Sequence, residues 1–275
     1  MTQISAEEQI RVEGHLASKL LAASDVERRE LYGYAYDRIY EMHLTRCGET
    51  AAEQTFGASP GMLGKLLRLT EPYRDVLEIG CGSGFLAIEL ARAARAVTGI
   101  DVSQVALAAA RRHASPLKIP PRFRPVSGVH LPFADKTFDF AYSIEVLEHL
   151  HPEDVPIHLR EVHRVLRPGG RYWLSTPNAT IAKSVHERFG IQSSQPVADV
   201  HLKEWTYREL IAALSHAGFS HIQSPWRNRR FHRAPLLPAN WKGLSEAAIS
   251  PLPEGPRRII AFGAGVFHCS LVGSK

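Results

Sequence analysis

The chain has 275 residues, 44% of them hydrophobic, and its 33 Lys and Arg against 28 Asp and Glu leave a formal net charge of +5. That length is long for one compact domain and short for two, and the apolar content supports a sizeable core, which excludes wholesale disorder. Three cysteines, Cys47, Cys81 and Cys269, are too few and too scattered for a disulfide framework or a thiolate zinc site, so a reducing, cytoplasmic setting is expected.

Met1 to Glu13 mixes charges with small polar groups and lacks the apolar core of a signal peptide. The longest late apolar run, Ile259 to Phe267, reaches about half of what a transmembrane helix needs, so no transmembrane segment is expected. From residue 5 the chain reads as helical, with Ile10, Leu16, Leu20 and Leu21 at helical spacing. A second helix over Val26 to Leu44 carries Tyr32, Tyr36 and Tyr40 on one face. Such a stripe either packs on a core or forms a lid over a site. Glu49 to Pro60 reads as a loop, which makes 1–60 an N-terminal helical cap and 61–275 the main domain. Met62 to Leu69 is a further helix.

From Arg74 the pattern alternates. Asp75 to Ile79 is a short buried strand, Gly84 to Arg95 a helix and Ala96 to Ile100 a second strand. Ser103 then caps a helix to His113. Strands follow near Phe123 to Val126 and over Phe138 to Ile144, with a helix-like region around Val146. A helix over Glu153 to Leu166 is stopped by Arg167-Pro168-Gly169-Gly170, and Tyr172 to Ser175 is the fifth strand. Thr206 to Ala217 is a helix ending at Gly218. Phe219 to Ser224 and Ala261 to Leu271 are the last strands. This order predicts an α/β fold: a doubly wound, mainly parallel seven-stranded sheet covered on both faces, with an N-terminal helical lid.

Glu78 ends the first strand, and Gly80, Gly82 and Gly84 follow at every second position before a helix. Glycine permits a tight turn and places no Cβ between chain and ligand, and the helix start presents free N–H groups. This suits a nucleotide-like ligand at the carboxyl ends of the strands. Asp101, 23 residues after Glu78, ends the next strand and can accept from two ribose hydroxyls. Gly82-Ser83-Gly84-Phe85-Leu86-Ala87 also satisfies the G-x-G-x-x-A pattern of nicotinamide dehydrogenases.

Context decides between them. Glu78-Ile79-Gly80-Cys81-Gly82-Ser83-Gly84 is followed by Leu131-Pro132-Phe133-Ala134-Asp135 with Phe138-Asp139. Next come Glu145-Val146-Leu147-Glu148-His149, Leu166-Arg167-Pro168-Gly169-Gly170 and Ser175-Thr176-Pro177-Asn178. In this order, over about Asp75 to Asn178, the strings resemble the class I S-adenosylmethionine-dependent methyltransferases, whose fold is Rossmann-like. The resemblance implies that Glu78, Gly80, Cys81, Gly82 and Gly84 line the amino acid part of S-adenosylmethionine. It also implies that Asp101 holds the ribose and that Val102 packs near adenine. Many relatives have an Asp after the third strand that contacts the adenine amino group; this chain has Ser127 there. Ser127, Gly128 and Val129 are then expected to frame the ring through backbone groups, and Ser143 and Ile144 to sit beside the methionine moiety.

Glu145, Glu148 and His149 fall at the mouth of that site. In many class I methyltransferases this string shapes a loop or supplies a base, which makes His149 and Glu145 the catalytic candidates. In two families it binds a divalent ion: the ubiquinone-biosynthesis O-methyltransferases and the small-RNA 2′-O-methyltransferases, the latter with a further His before Glu-Trp-Thr. This chain has His201-Leu202-Lys203-Glu204-Trp205-Thr206, so Glu145, Glu148, His149 and His201 are the candidate ligands for Mg²⁺, Mn²⁺ or Zn²⁺.

The acceptor side falls to the cap and to two insertions, 179–204 and 225–258. Between Pro225 and Arg258 stand seven Lys or Arg (Arg227, Arg229, Arg230, Arg233, Lys242, Arg257, Arg258) against Glu246 and Glu254, which equals the net charge of the whole chain. This is either a solvated loop or a basic wall facing an anionic partner. Tyr36, Trp226, Arg229, Phe231 and Trp241 suggest aromatic and basic surroundings. O-methylation of a small aromatic, glycosylated or lipid-like hydroxyl compound is expected. Against the alternative of a metal-dependent RNA 2′-O-methyltransferase stand the modest charge and the lack of a separate RNA-binding module. The other alternative is a methyltransferase-like protein that binds the cofactor without turnover.

Overall fold

A computed structural model describes residues 5–56, 60–93, 95–179, 200–224, 237–238 and 268–275. The chain opens with α1 (Ala6–Ala22), whose N-cap Ser5 accepts from the amide of Glu8, and α2 (Asp25–Phe56). The loop expected over Glu49 to Pro60 is therefore largely helix. The stretch Glu49 to Phe56 holds good helix formers and no breaker, so α2 continues through it. Then come α3 (Pro60–Thr70), β1 (Asp75–Ile79), α4 (Phe85–Arg92), β2 (Ala96–Asp101), α5 (Gln104–Ala114) and β3 (Arg122–Pro125). They are followed by β4 (Phe138–Ile144), a 3-10 turn (Leu147–His149), α6 (Val155–Val165) and β5 (Leu166–Pro177). The last elements are α7 (Tyr207–His216), β6 (Ser220–Ser224), β7 (Leu237–Pro238) and β8 (His268–Ser274). Ser103 caps α5 as its position predicted, and Thr206 with Glu209 forms a full capping box on α7.

The sheet order is β3-β2-β1-β4-β5-β8-β6-β7, with β1 to β5 parallel and β8 antiparallel between β5 and β6. The expected seven strands are present, and Leu237–Pro238 add a two-residue eighth at the edge, a place where a proline in a sheet need cost no ladder bond. Arg167-Pro168-Gly169-Gly170 does not precede β5 but lies inside it. The register jumps from Phe138–Leu166 to Phe140–Arg171 across this bulge, and Arg167 reaches Asp75 at 2.8 Å and Asp139 at 2.6 Å.

Each face of the sheet has its own core. On one face Leu77, Ile79, Ile100, Ala141 and Leu174 pack with residues of α1, α2, α6 and α7. On the other, Val76, Val97, Phe140, Tyr142 and Trp173 pack with Leu66, Leu86 and Leu90 of α3 and α4. The chain leaves β1 in one direction to β2 and β3 and returns to its other side at β4. This places a topological switch point at the carboxyl ends of β1, β2 and β4, where open α/β sheets bind ligands. Among the described residues no helix is long and apolar enough to cross a membrane. The basic segment, except for Leu237–Pro238, and residues 180–199 of the first insertion lie outside the described residues.

Candidate active site

The turn after β1 is a run of left-handed glycines, with φ of 69° at Gly80, 51° at Gly82 and 82° at Gly84. The amides of Gly80 and Cys81 both donate to the carbonyl of Ile100, at 2.8 and 3.0 Å, which ties the turn to the end of β2. Beyond each glycine the room is taken by the protein itself. A Cβ on Gly80 would lie 2.5 Å from Val146, one on Gly82 would lie 2.5 Å from the Tyr40 hydroxyl, and one on Gly84 would lie 2.7 Å from Phe123. The glycines thus serve close packing around the turn as well as the approach of a ligand. Gly84 gives α4 no side-chain cap.

Asp101 projects from the end of β2 into this turn. One of its oxygens accepts from the amide of Gly82 at 2.8 Å and the other from the amide of Ser103 at 2.9 Å. Burial raises its pKa although these amides oppose the shift. Glu78 is 5% exposed, and burial pushes its carboxyl up to about 8 against the pull of the Tyr142 hydroxyl and the Ala87 amide. Its Oε2 has no hydrogen-bond partner among the described residues, a donor-seeking oxygen at the mouth of the glycine turn. The buried Cys81 packs against Gly99, and its thiol is likewise pushed up by burial.

After β3, the hydroxyl of Ser127 donates to the carbonyl of Arg29 at 2.9 Å, so it is committed to α2. Gly128, at φ 64°, abuts Arg29, and Val129 is a core residue. The Val102 carbonyl faces Gly33 of α2. Ser143 sits opposite Ile79 in the sheet, with Ile144 after it, but its hydroxyl bonds to that of Tyr172 at 2.5 Å inside the core.

The turn after β4 starts with strain. Glu145 has φ 54°, uncommon outside glycine, and its amide is held by the carbonyl of Ser175 at 2.8 Å. The 3-10 turn then aims Glu148 and His149 at the cleft. Glu148 is fully buried; one oxygen accepts from Thr176 at 2.8 Å and the other, Oε1, has no hydrogen-bond partner among the described residues. Burial, with Glu145 nearby, pushes its carboxyl up to about 8. The carbonyl of Glu148 accepts from the amides of Leu202 at 2.7 Å and Lys203 at 3.2 Å, which docks residues 200–203 on the turn. His201 thereby comes to lie edge-on to His149, with ring centroids 5.1 Å apart. Glu148, His149 and His201 each offer a ligand atom, and these atoms lie within 4.8 Å of one another. Glu145 stands outside that group.

His149 Nδ1 lies 3.1 Å from the carbonyl of Val200. A carbonyl only accepts, so Nδ1 carries the proton and Nε2 keeps a lone pair. Burial, with His201 alongside, lowers the pKa of the ring to about 3, which keeps it neutral.

One helix covers this ensemble. Arg29, Gly33, Asp37 and Tyr40 of α2 lie against Ser127, Val102, Ser103 and Gly82 in turn, and Tyr36 meets the His149 ring edge-on at 5.6 Å. The Tyr36 hydroxyl is buried without a hydrogen-bond partner among the described residues. The tyrosine stripe marked this face in the sequence. Asp37, Thr176 and the Val200 carbonyl carried no comparable signal, because their partners are remote in the chain.

The model of a methyltransferase domain matches residues 77–174, a span that begins in β1 and ends in β5. A ubiquinone biosynthesis O-methyltransferase of Rhizobium rhizogenes is 36% identical over 128 residues, 46% of this chain and 49% of that protein. A probable S-adenosylmethionine-dependent methyltransferase of Mycolicibacterium smegmatis is 35% identical over 146 residues, 53% of this chain and 52% of that protein. The chain thus spans about half the length of the curated relatives it matches. The YcgJ protein of Bacillus subtilis superposes with a TM-score of 0.54 at 20% identity, over 79% of this chain and 99% of that one, a likeness of fold. The glycine turn at the switch point, the sheet order and the matched span agree: this chain carries a methyltransferase domain of the class I S-adenosylmethionine-dependent family.

Proposed function

We propose that the protein transfers a methyl group from S-adenosylmethionine to a hydroxyl of a small aromatic, glycosylated or lipid-like acceptor. The observation that carries this reading is His149, whose Nδ1 faces the Val200 carbonyl and so leaves the lone pair on Nε2, in the turn after β4 whose Val146 abuts Gly80 of the glycine turn. Relatives named for O-methylation in ubiquinone biosynthesis support the oxygen acceptor. The cofactor, when bound, supplies a methyl group already activated on a sulfonium. The residues fit it: buried Glu78 keeps one oxygen for a donor, and Asp101 offers remaining lone pairs of both oxygens to the ribose hydroxyls. Alignment within about 3–3.5 Å and exclusion of water are then the protein's main contribution. The α2 roof serves both, and His149 Nε2 takes the acceptor's proton.

Asp101→Ala is expected to weaken S-adenosylhomocysteine binding about tenfold or more, the cost of about 1.5–3 kcal/mol for losing a charge-assisted partner. Calorimetric titration with unchanged affinity, or tight NADH binding by the wild type, would overturn the cofactor assignment. Transfer of labelled methyl to a metabolite extract tests turnover. Cofactor binding with no labelled product would favour the non-catalytic alternative.

The Glu148, His149 and His201 cluster favours a second reading in which the site works with a divalent ion. The set is chemically suitable for Mg²⁺, Mn²⁺ or Zn²⁺: Glu148 Oε1 is buried without a hydrogen-bond partner among the described residues, and the Val200 carbonyl fixes the His149 tautomer as ligating imidazoles require. An ion there would supply Lewis acidity toward the acceptor oxygen. Titration with Mn²⁺, followed by its paramagnetic resonance, is expected to show one site that His201→Ala weakens by at least about 10–100-fold, the cost of losing even an outer-shell partner of a ligand. No Mn²⁺ uptake by the wild type would reject the ion and leave His149 as the base.

A further inference from the structure

Asp37 belongs to none of the motifs in the sequence, yet it joins the roof of the site to its floor. Its Oδ1 accepts from the hydroxyl of Ser103 at 2.7 Å and from the amide of Val105 at 3.0 Å. Ser103 is the N-cap of α5, its Oγ accepting from Ala106 at 3.0 Å, and its own amide donates to Asp101 at 2.9 Å. A continuous path therefore runs from α2 through Asp37 and Ser103 to the carboxylate of Asp101. The charge of Asp37 is felt at Asp101, where it adds to the effect of burial. Two carboxylates share the start of α5, and hydroxyl donors on Asp101 would relieve that crowding.

The rest of α2 is fastened as well. At its N-terminal end Arg28 makes two 2.8 Å bonds to Asp154, and Tyr32 both donates to Asp154 at 2.8 Å and accepts from the amide of His151 at 2.7 Å. Asp37 lies further along the helix, against Ser103 and next to Asp101.

We propose that Asp37 is a cofactor-positioning residue, which orients Asp101 through Ser103 and locks α2 over the bound nucleoside, so that release of the cofactor product requires this contact to open. The inference rests on the assignment of the cleft to S-adenosylmethionine. It makes α2 a clasp whose closure and ribose binding support one another, because each orders the same N-cap, Ser103.

The experiment follows dissociation of radiolabelled S-adenosylhomocysteine from the full chain, after a chase with unlabelled ligand. Asp37→Ala is expected to speed release about tenfold, the scale of one lost charge-assisted bond. Asp37→Asn, which keeps an acceptor oxygen for Ser103 and Val105, is expected to recover most of the retention. Hydrogen exchange gives the second readout: the ligand should slow exchange along α2 in the wild type and not in Asp37→Ala. If Asp37→Ala lowers the melting temperature but leaves both the release rate and the ligand-dependent exchange unchanged, Asp37 only caps α5 and the proposal fails. If the wild type binds no S-adenosylhomocysteine, the cofactor assignment itself fails.

Discussion

Arg28→Met is expected to lower the unfolding free energy by about 3–5 kcal/mol, because it strands the Asp154 carboxylate in a site built for a charge pair. The Arg28 and Asp154 side chains are 4% and 7% exposed, and the pair is bidentate. Denaturant titration reads the loss. Burial alone would raise the Asp154 pKa, but its bonds from Arg28 and Tyr32 outweigh burial and hold it below the usual carboxylate range. A depressed carboxyl stabilises the fold above its unfolded pKa, about 3.9. That contribution is lost as the pH falls through the lower folded value, so the difference between wild type and variant should shrink in strong acid. Arg28→Met with Asp154→Leu should recover much of the loss, since apolar replacement of a whole buried pair is often neutral. A single-variant loss below about 1 kcal/mol would show that the pair behaves as a surface bridge.

The second large effect is expected at Gly80. Its φ of 69° strains any other residue, and an added Cβ would lie 2.5 Å from the Val146 side chain. The left-handed backbone costs about 1–2 kcal/mol and the forced repacking about 1–3 kcal/mol. Gly80→Ala should therefore destabilise the fold by about 2–5 kcal/mol, the sum of those two costs. It should also weaken S-adenosylhomocysteine binding, because Val146 leads into the turn carrying Glu148 and His149. Adding Val146→Ala removes the clash and leaves the backbone strain, so the double variant should regain only part of the stability. Full recovery, or a single variant as stable as the wild type, would contradict this account of the turn.

Local chemistry made much of this fold legible in the sequence. Short runs rich in apolar residues marked β1 and β4, Ser103 and Thr206 marked helix starts, and three alternate glycines after Glu78 marked the ligand turn. Each depends on neighbours in the chain, so the residues alone carry the signal. The loop expected over Glu49 to Pro60 is largely the end of α2, since nothing between Glu49 and Phe56 breaks a helix. The bulge in β5 was hidden because Pro and Gly usually end an element. Here a long-range clamp, Arg167 on Asp75 and Asp139, holds the strand together across them.

Sequence by itself determined the α/β alternation, the glycine turn and the acidic residue at the end of β2, since turn geometry and hydrophobic period are local properties. Only the tertiary structure decided which polar groups meet. Arg28 finds Asp154 across 126 positions, Asp37 finds Ser103 across 66, and the carbonyl of Val200 fixes the tautomer of His149 from 51 residues away. It also turned Ser127 to the Arg29 carbonyl and Ser143 to Tyr172, and left Glu145 out of the Glu148, His149 and His201 cluster. The physical reason is the same in each case. A buried polar atom must find a partner, and which partner it finds is set by how the helices pack on the sheet, which no local pattern encodes.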